Sequence, residues 1–165
     1  MRNLAVIGGG SWGTALAIVL AQRFERVRMW VFEGEIADAV NRQRQNPVFL
    51  PEIQIPDAVS ASNSLSWAVE EADIVLGVMP SHHARRVYAE IAPHAPKNAI
   101  FVSATKGLEN GSLLRISEVM HDVLATDRIG VLSGPTFAKE VARGEPAAIV
   151  IASRDAALAR TVQGA

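Results

Sequence analysis

Gly8-Gly9-Gly10-Ser11-Trp12-Gly13 carries glycines in the spacing G-x-G-x-x-G. That spacing alone is common in glycine-rich turns. Here it directly follows the apolar run Leu4-Ala5-Val6-Ile7 and opens a segment with Leu16, Val19 and Leu20, so a strand, a turn and a helix succeed one another. In such a unit Gly8 allows the tight turn and Gly10 lets the backbone approach a pyrophosphate. Gly13 lets the helix pack close to the strand. Free amides and the helix dipole then hold phosphates without a cation. The next strand ends in Trp30-Val31-Phe32-Glu33, with Glu33 standing 20 residues beyond Gly13. A carboxylate there accepts hydrogen bonds from adenosine ribose hydroxyls and repels a 2′-phosphate, which favours NAD over NADP. Arg28 and Arg42 keep NADP as an alternative. The plainer reading of Glu33 is a solvated strand-end acid; the upstream glycines put the ribose-binding reading ahead. Phe32 stacks on adenine or serves as a core aromatic. Methyltransferases that bind S-adenosylmethionine also use a glycine-rich first turn, but the third glycine at Gly13 makes that the weaker option.

Further along, Ser103 to Glu109 follows a strand, so Lys106 projects at the carboxyl end of a sheet, where open α/β sheets bind ligands. A lysine there polarises a ketone oxygen or pairs with a phosphate; the alternative is an ordinary surface lysine. Gly134-Pro135 reads as a turn before a helix starting near Thr136, whose N-terminus suits an anion. His82-His83 is not a metal site, because adjacent histidines point to different sides of a helix and no carboxylate or cysteine cluster joins them. His82 lines the cofactor crevice or lies on the surface. Arg85-Arg86 reads as a solvated helix face.

These groups need a scaffold, and short apolar runs alternating with segments of helical period supply one. The expected strands are Leu4–Ile7, Val27–Phe32, Ile74–Val78, Ala99–Val102, Ile129–Leu132 and Ala147–Ile151. Most are apolar throughout, as when helices cover both faces of a sheet. Ala84, Val87, Tyr88 and Ile91 form one helical stripe, and Leu113, Ile116, Met120 and Val123 a second. The fold class is therefore α/β: a Rossmann-type doubly wound, mostly parallel sheet over residues 1–165. Asn46 to Asp57 carries Pro47, Pro51 and Pro56 and is neither helix nor central strand. It is a functional loop or a proline-stiffened connection. Near the C-terminus Ser153 is the expected N-cap of a helix that ends at Gln163, and the stop at Gly164-Ala165 looks equally like a normal helix end or a cut.

Composition removes several function classes. The 165 residues are 49% hydrophobic and 20% charged, within the range of globular domains. With no cysteine, thiolate catalysis and thiolate metal sites are excluded. A net charge of −1 gives no global field for nucleic acid. The longest apolar stretch, Ala15 to Ala21, is far shorter than a bilayer span, so no membrane insertion is expected and the cytoplasm is the default.

Five motifs in order resemble the N-terminal domain of the NAD(P)-dependent glycerol-3-phosphate dehydrogenase family. They are Gly8 through Ala17, Phe49-Leu50-Pro51, Val78-Met79-Pro80-Ser81-His82, Ala104 through Glu109, and Leu132 through Glu140. The resemblance implies that Ser11 and Trp12 contact the cofactor, with Phe32 at its adenosine end. It implies that Lys106 touches both nicotinamide and substrate, that Gly134 and Thr136 bind substrate, and that Ala138 contacts cofactor. Two departures are visible. Gly9 stands where alanine is common, and Val31-Phe32-Glu33 resembles the eukaryotic form.

The family interconverts dihydroxyacetone phosphate and sn-glycerol 3-phosphate, which connects it to phospholipid biosynthesis. Its principal acid/base is a lysine in a following helical domain. The lysines here, at 97, 106 and 139, do not stand in that valine-lysine-asparagine setting, so no catalytic acid/base is expected in this chain. The expectation is a nucleotide-binding domain that binds NAD(H) weakly, turns over negligibly by itself and self-associates through exposed apolar surface. The full-length protein is expected to be a homodimer. A sister hydroxyacid or sugar-phosphate dehydrogenase, or a stand-alone NAD-binding module, is the alternative.

Overall fold

Leu4 and Val6 point to one face of the sheet, Ala5 and Ile7 to the other, and all four are buried. That is why β1 (Asn3–Ile7) is apolar at successive positions. In a computed structural model describing residues 1–165, β1 is an interior strand, third in order, of a seven-stranded sheet. The other strands are β2 (Arg26–Trp30), β3 (Val59–Ser62), β4 (Ile74–Gly77), β5 (Ile100–Ser103), β6 (Ile129–Ser133) and β7 (Val150–Ser153). Their order is β3-β2-β1-β4-β5-β6-β7. All pairings are parallel except β6 with β7, which is antiparallel. The helices α1 (Ser11–Leu20), α2 (Gly34–Gln43) and α7 (Ala156–Gln163) pack on the Leu4/Val6 face. On the other face lie α3 (Leu65–Val69), α4 (Ser81–Ile91) and α5 (Ile116–Leu124). The short α6 (Ala138–Ala142) packs against α1.

The doubly wound sheet and most strands agree with the sequence reading, and the disagreements have local causes. The alternating Val59-Ser60-Ala61-Ser62 forms β3, an edge strand the sequence reading lacked because it contains no apolar run. The second strand ends at Trp30, and Val31 is buried beyond it. The last strand is Val150–Ser153 and not Ala147–Ile151; an antiparallel edge strand alternates its exposure, so the apolar run misplaces it. Leu113 lies outside α5, exposed and in the left-handed region at φ 59°. Asp155, not Ser153, caps α7 by accepting from the Ala157 amide, while the Ser153 hydroxyl donates to the Ile129 carbonyl. The helix expected near Thr136 begins at Ala138 and lasts five residues.

Asp73, just before β4, fixes the start of the neighbouring β1. Its carboxylate accepts from the backbone amides of Arg2 (2.6 Å) and Asn3 (3.0 Å), and these bonds hold its pKa below the ordinary aspartate value. A depressed folded pKa gives stability that is present above about pH 4, the unfolded value, and is lost as pH falls through the lower folded one. Asp73→Asn is therefore expected to lower the melting temperature at pH 7 and to flatten the fall of stability below about pH 4. Melting curves from pH 7 to pH 2.5 check this; an unchanged acid limb would contradict it.

Candidate functional site

Parallel pairing brings the carboxyl ends of β1, β2, β4, β5 and β6 to one edge of the sheet. Between β1 and β4 the winding direction reverses, which opens a crevice where α/β sheets bind ligands. Gly8 follows β1 there at φ 131°, and a Cβ on it would meet the Val78 carbonyl at 2.1 Å. A Cβ at Gly13 would lie 1.8 Å from the Gly8 carbonyl oxygen, so only glycine lets α1 begin so close to β1. Gly10 caps α1, and a Cβ there would meet nothing within 4 Å. The Ser11 and Trp12 amides donate to no protein group. Open space before a free helix N-terminus is a geometry that suits an anion such as a pyrophosphate.

A cavity of about 410 Å³ extends from this loop. Its lining brings Gly8, Gly9 and Gly10 after β1 together with Phe32 and Glu33 after β2 and with Met79, Pro80, His83 and Arg86 after β4. Phe49 also borders it. Phe32 is 69% exposed, so it is a ring at the rim and not a core aromatic. Glu33 occupies the N-cap position of α2, yet its side chain makes no capping bond and no ion pair, which leaves the carboxylate available. Glycine loop, exposed ring and free strand-end carboxylate are the kinds of group an adenine dinucleotide requires.

The remaining expected residues lie along the same edge, outside this cavity. Ser11 is exposed and Trp12 half-buried on the first turn of α1, and Trp12 and Ala138 pack against the same core cluster. Lys106 is exposed three residues beyond β5. Its position is held from both sides. The Thr105 hydroxyl donates to the Gly77 carbonyl (3.4 Å) and accepts from the Met79 amide (3.3 Å). Arg85 clamps Glu109 bidentately at 2.7 and 3.0 Å, and this guanidinium holds the Glu109 pKa below the usual carboxylate range. Arg85 is thus a clamp on the lysine-bearing loop and not a solvated arginine. Gly134 and Thr136 follow β6. Gly134 also has a packing role, since a Cβ there would meet the Ala148 carbonyl at 2.4 Å. Thr136 does not sit at a helix N-terminus able to hold an anion, because α6 starts later and is a single short turn.

Several residues at the site carry little signal in the sequence. His83, not His82, borders the cavity, and the two rings lie 4.0 Å apart between centroids. Arg86 and Phe49 also border it, and Asn46 is wholly buried behind the glycine loop. Only the polar Asn46 before Pro47 carried a signal. Gly9, the departure from the family pattern, faces both Val31 methyls, each 2.7 Å from where its Cβ would stand.

The strand order with a glycine loop at the reversal point defines a dinucleotide-binding Rossmann domain. Residues 3–159 match the family model described as the N-terminus of NAD-dependent glycerol-3-phosphate dehydrogenase. The chain belongs to that family, whose N-terminal domain binds NAD. A glycerol-3-phosphate dehydrogenase [NAD(P)+] of Koribacter versatilis is 50% identical over 167 residues, covering 99% of this chain and 50% of the relative. The crystal structure of glycerol-3-phosphate dehydrogenase from Coxiella burnetii superimposes with a TM-score of 0.89 at 32% identity, over 98% of this chain and 49% of that one. The Saccharomyces cerevisiae enzyme gives 0.85 at 30% identity, over 93% and 48%. The chain spans about half the length of the curated relatives it matches.

Proposed function

We propose that residues 1–165 form the nucleotide-holding domain of an enzyme that interconverts sn-glycerol 3-phosphate and dihydroxyacetone phosphate. The observation that carries this reading is the glycine cradle at the reversal point with the unpartnered Glu33 carboxylate at its rim. Bound NAD(H) supplies hydride exchange at the substrate's carbinol carbon. The residues of this chain hold and orient. The amides of Ser11 and Trp12 bind the pyrophosphate, Phe32 covers the adenine, and Glu33 accepts from the adenosine ribose and disfavours NADP. Trp12 and Ala138 border the nicotinamide half. Lys106 donates to the substrate oxygen, beside the backbone of Gly134 and the hydroxyl of Thr136. The proton that balances the hydride comes from an acid outside this chain, in the second half that the longer relatives possess.

The substrate is small and phosphorylated, which places the enzyme at the supply of glycerol backbones for phospholipid synthesis. The near-neutral charge argues against a nucleic-acid partner. No helix is long and apolar enough to cross a membrane, and a cytoplasmic, homodimeric full-length enzyme is the reading we adopt. The exposed Phe137, Ile149 and Val150 support an interdomain contact, and in isolation they favour self-association. In a protein containing both halves, Lys106→Ala is expected to lower kcat/KM for dihydroxyacetone phosphate by roughly 100-fold or more, measured by NADH consumption. An unchanged value would remove Lys106 from the site.

A further inference from the structure

Asn46 is completely buried, yet it is polar and stands at the start of the proline-rich loop. Its Nδ2 donates to the Gly9 carbonyl (2.8 Å) and to the Thr14 hydroxyl (2.9 Å). Its Oδ1 accepts from the Phe49 amide at 3.1 Å. The Thr14 hydroxyl in turn donates to the same Gly9 carbonyl at 3.3 Å. Both Nδ2 hydrogens and the carbonyl oxygen are used, so the network is closed and satisfied.

From this geometry we infer that Asn46 is a positioning residue for cofactor binding. Peptide planarity carries the effect. In a trans peptide the carbonyl and the following N–H point in opposite directions. Two donors hold the Gly9 carbonyl inward, so the Gly10 amide, which donates to no protein group, is aimed outward at the phosphate cradle. The same side chain fixes the backbone of Phe49, which lines the same cavity as the glycines. One buried carboxamide thus positions both the glycine loop and Phe49 in the lining of the nucleotide cavity. Arg44, reaching the Ile55 and Val59 carbonyls, anchors the far end of the loop, while Asn46 alone joins it to the glycines. The inference rests on the nucleotide-binding reading given above.

The test is calorimetric titration with NADH of four proteins: the unaltered chain, Asn46→Ala, Thr14→Val and Leu158→Ala. Leu158, on α7, is buried beside Gly130 near the start of β6 and does not line the nucleotide cavity, and its truncation controls for a general loss of stability. The expected result is binding roughly tenfold or more weaker for Asn46→Ala and roughly threefold weaker for Thr14→Val, because each leaves buried groups without partners at the cradle. Leu158→Ala is expected to lower the melting temperature at an affinity within about twofold of the unaltered chain, since it removes only packing. Should Asn46→Ala fail to fold, Thr14→Val decides the matter. Affinity within twofold of the unaltered chain in the folded network variants overturns the role of Asn46 alone, as does a loss in Leu158→Ala that matches theirs. No saturable binding by the unaltered chain overturns the nucleotide reading itself, and this inference with it.

Discussion

Gly13→Ala is expected to abolish measurable NADH binding and to lower the melting temperature by roughly 6–12 °C. The added methyl would stand 1.8 Å from the Gly8 carbonyl oxygen and 3.0 Å from its carbon. Both are backbone atoms of the turn, so no side-chain rotation relieves the clash. Either α1 retreats from β1 or the Gly8 turn opens. The first movement withdraws the free amides of Ser11 and Trp12 from the crevice, and the second destroys its floor. Overpacking of this kind costs about 3 kcal/mol, at the upper end of its usual range. Thermal melting and a nucleotide titration of the same preparation separate the two losses. A variant that melts normally and binds NADH normally would show that helix and strand are not in close contact.

Gly77→Ala is expected to destabilise the fold by a similar amount, about 3 kcal/mol, and a second substitution relieves much of it. Gly77 ends β4, where a Cβ would meet the Tyr88 hydroxyl at 1.9 Å and the ring carbon bearing it at 2.9 Å. Tyr88 is fully buried on α4, and its hydroxyl has no well-formed hydrogen bond. Burial pushes its pKa up and outweighs the opposing influence of Ser103. Tyr88→Phe removes the atom nearest the new methyl and a buried polar group of little net benefit, so alone it is expected to be neutral within about 1 kcal/mol. In the double variant it restores part of what Gly77→Ala costs, a coupling that a double-mutant cycle in denaturant measures. Additive losses would place the Tyr88 hydroxyl elsewhere.

The same two glycines show why some of the site was legible in the sequence and some was not. Gly13 belongs to a local pattern, since strand, turn and helix are contiguous and the spacing itself encodes the geometry. Glu33 was legible for the same reason, standing at the end of the adjacent strand. Gly77 owes its smallness to Tyr88, eleven residues away and on another element, and no local pattern encodes that contact. Asn46 reaches a carbonyl 37 residues distant, and Arg85 a carboxylate 24 residues distant. Such partnerships exist only once the chain has folded. The central strands announced themselves because both their faces are buried, whereas β3 and β7 lie at the sheet edges and carry weaker, alternating patterns. Lys106 was placed at the correct sheet edge, but Thr105 and the Arg85 clamp that fix it there came from the structure.

On this reading the glycine cradle and Glu33 together hold NAD in preference to NADP. Calorimetric titration of the chain with NADH and with NADPH, repeated on Glu33→Ala, decides whether they do. Saturable binding of one nucleotide per chain is expected, tighter for NADH, with the preference narrowed in the variant by roughly tenfold, because a charge repelling the 2′-phosphate is removed. Equal or tighter binding of NADPH by the unaltered chain, or a preference untouched by Glu33→Ala, would contradict that reading.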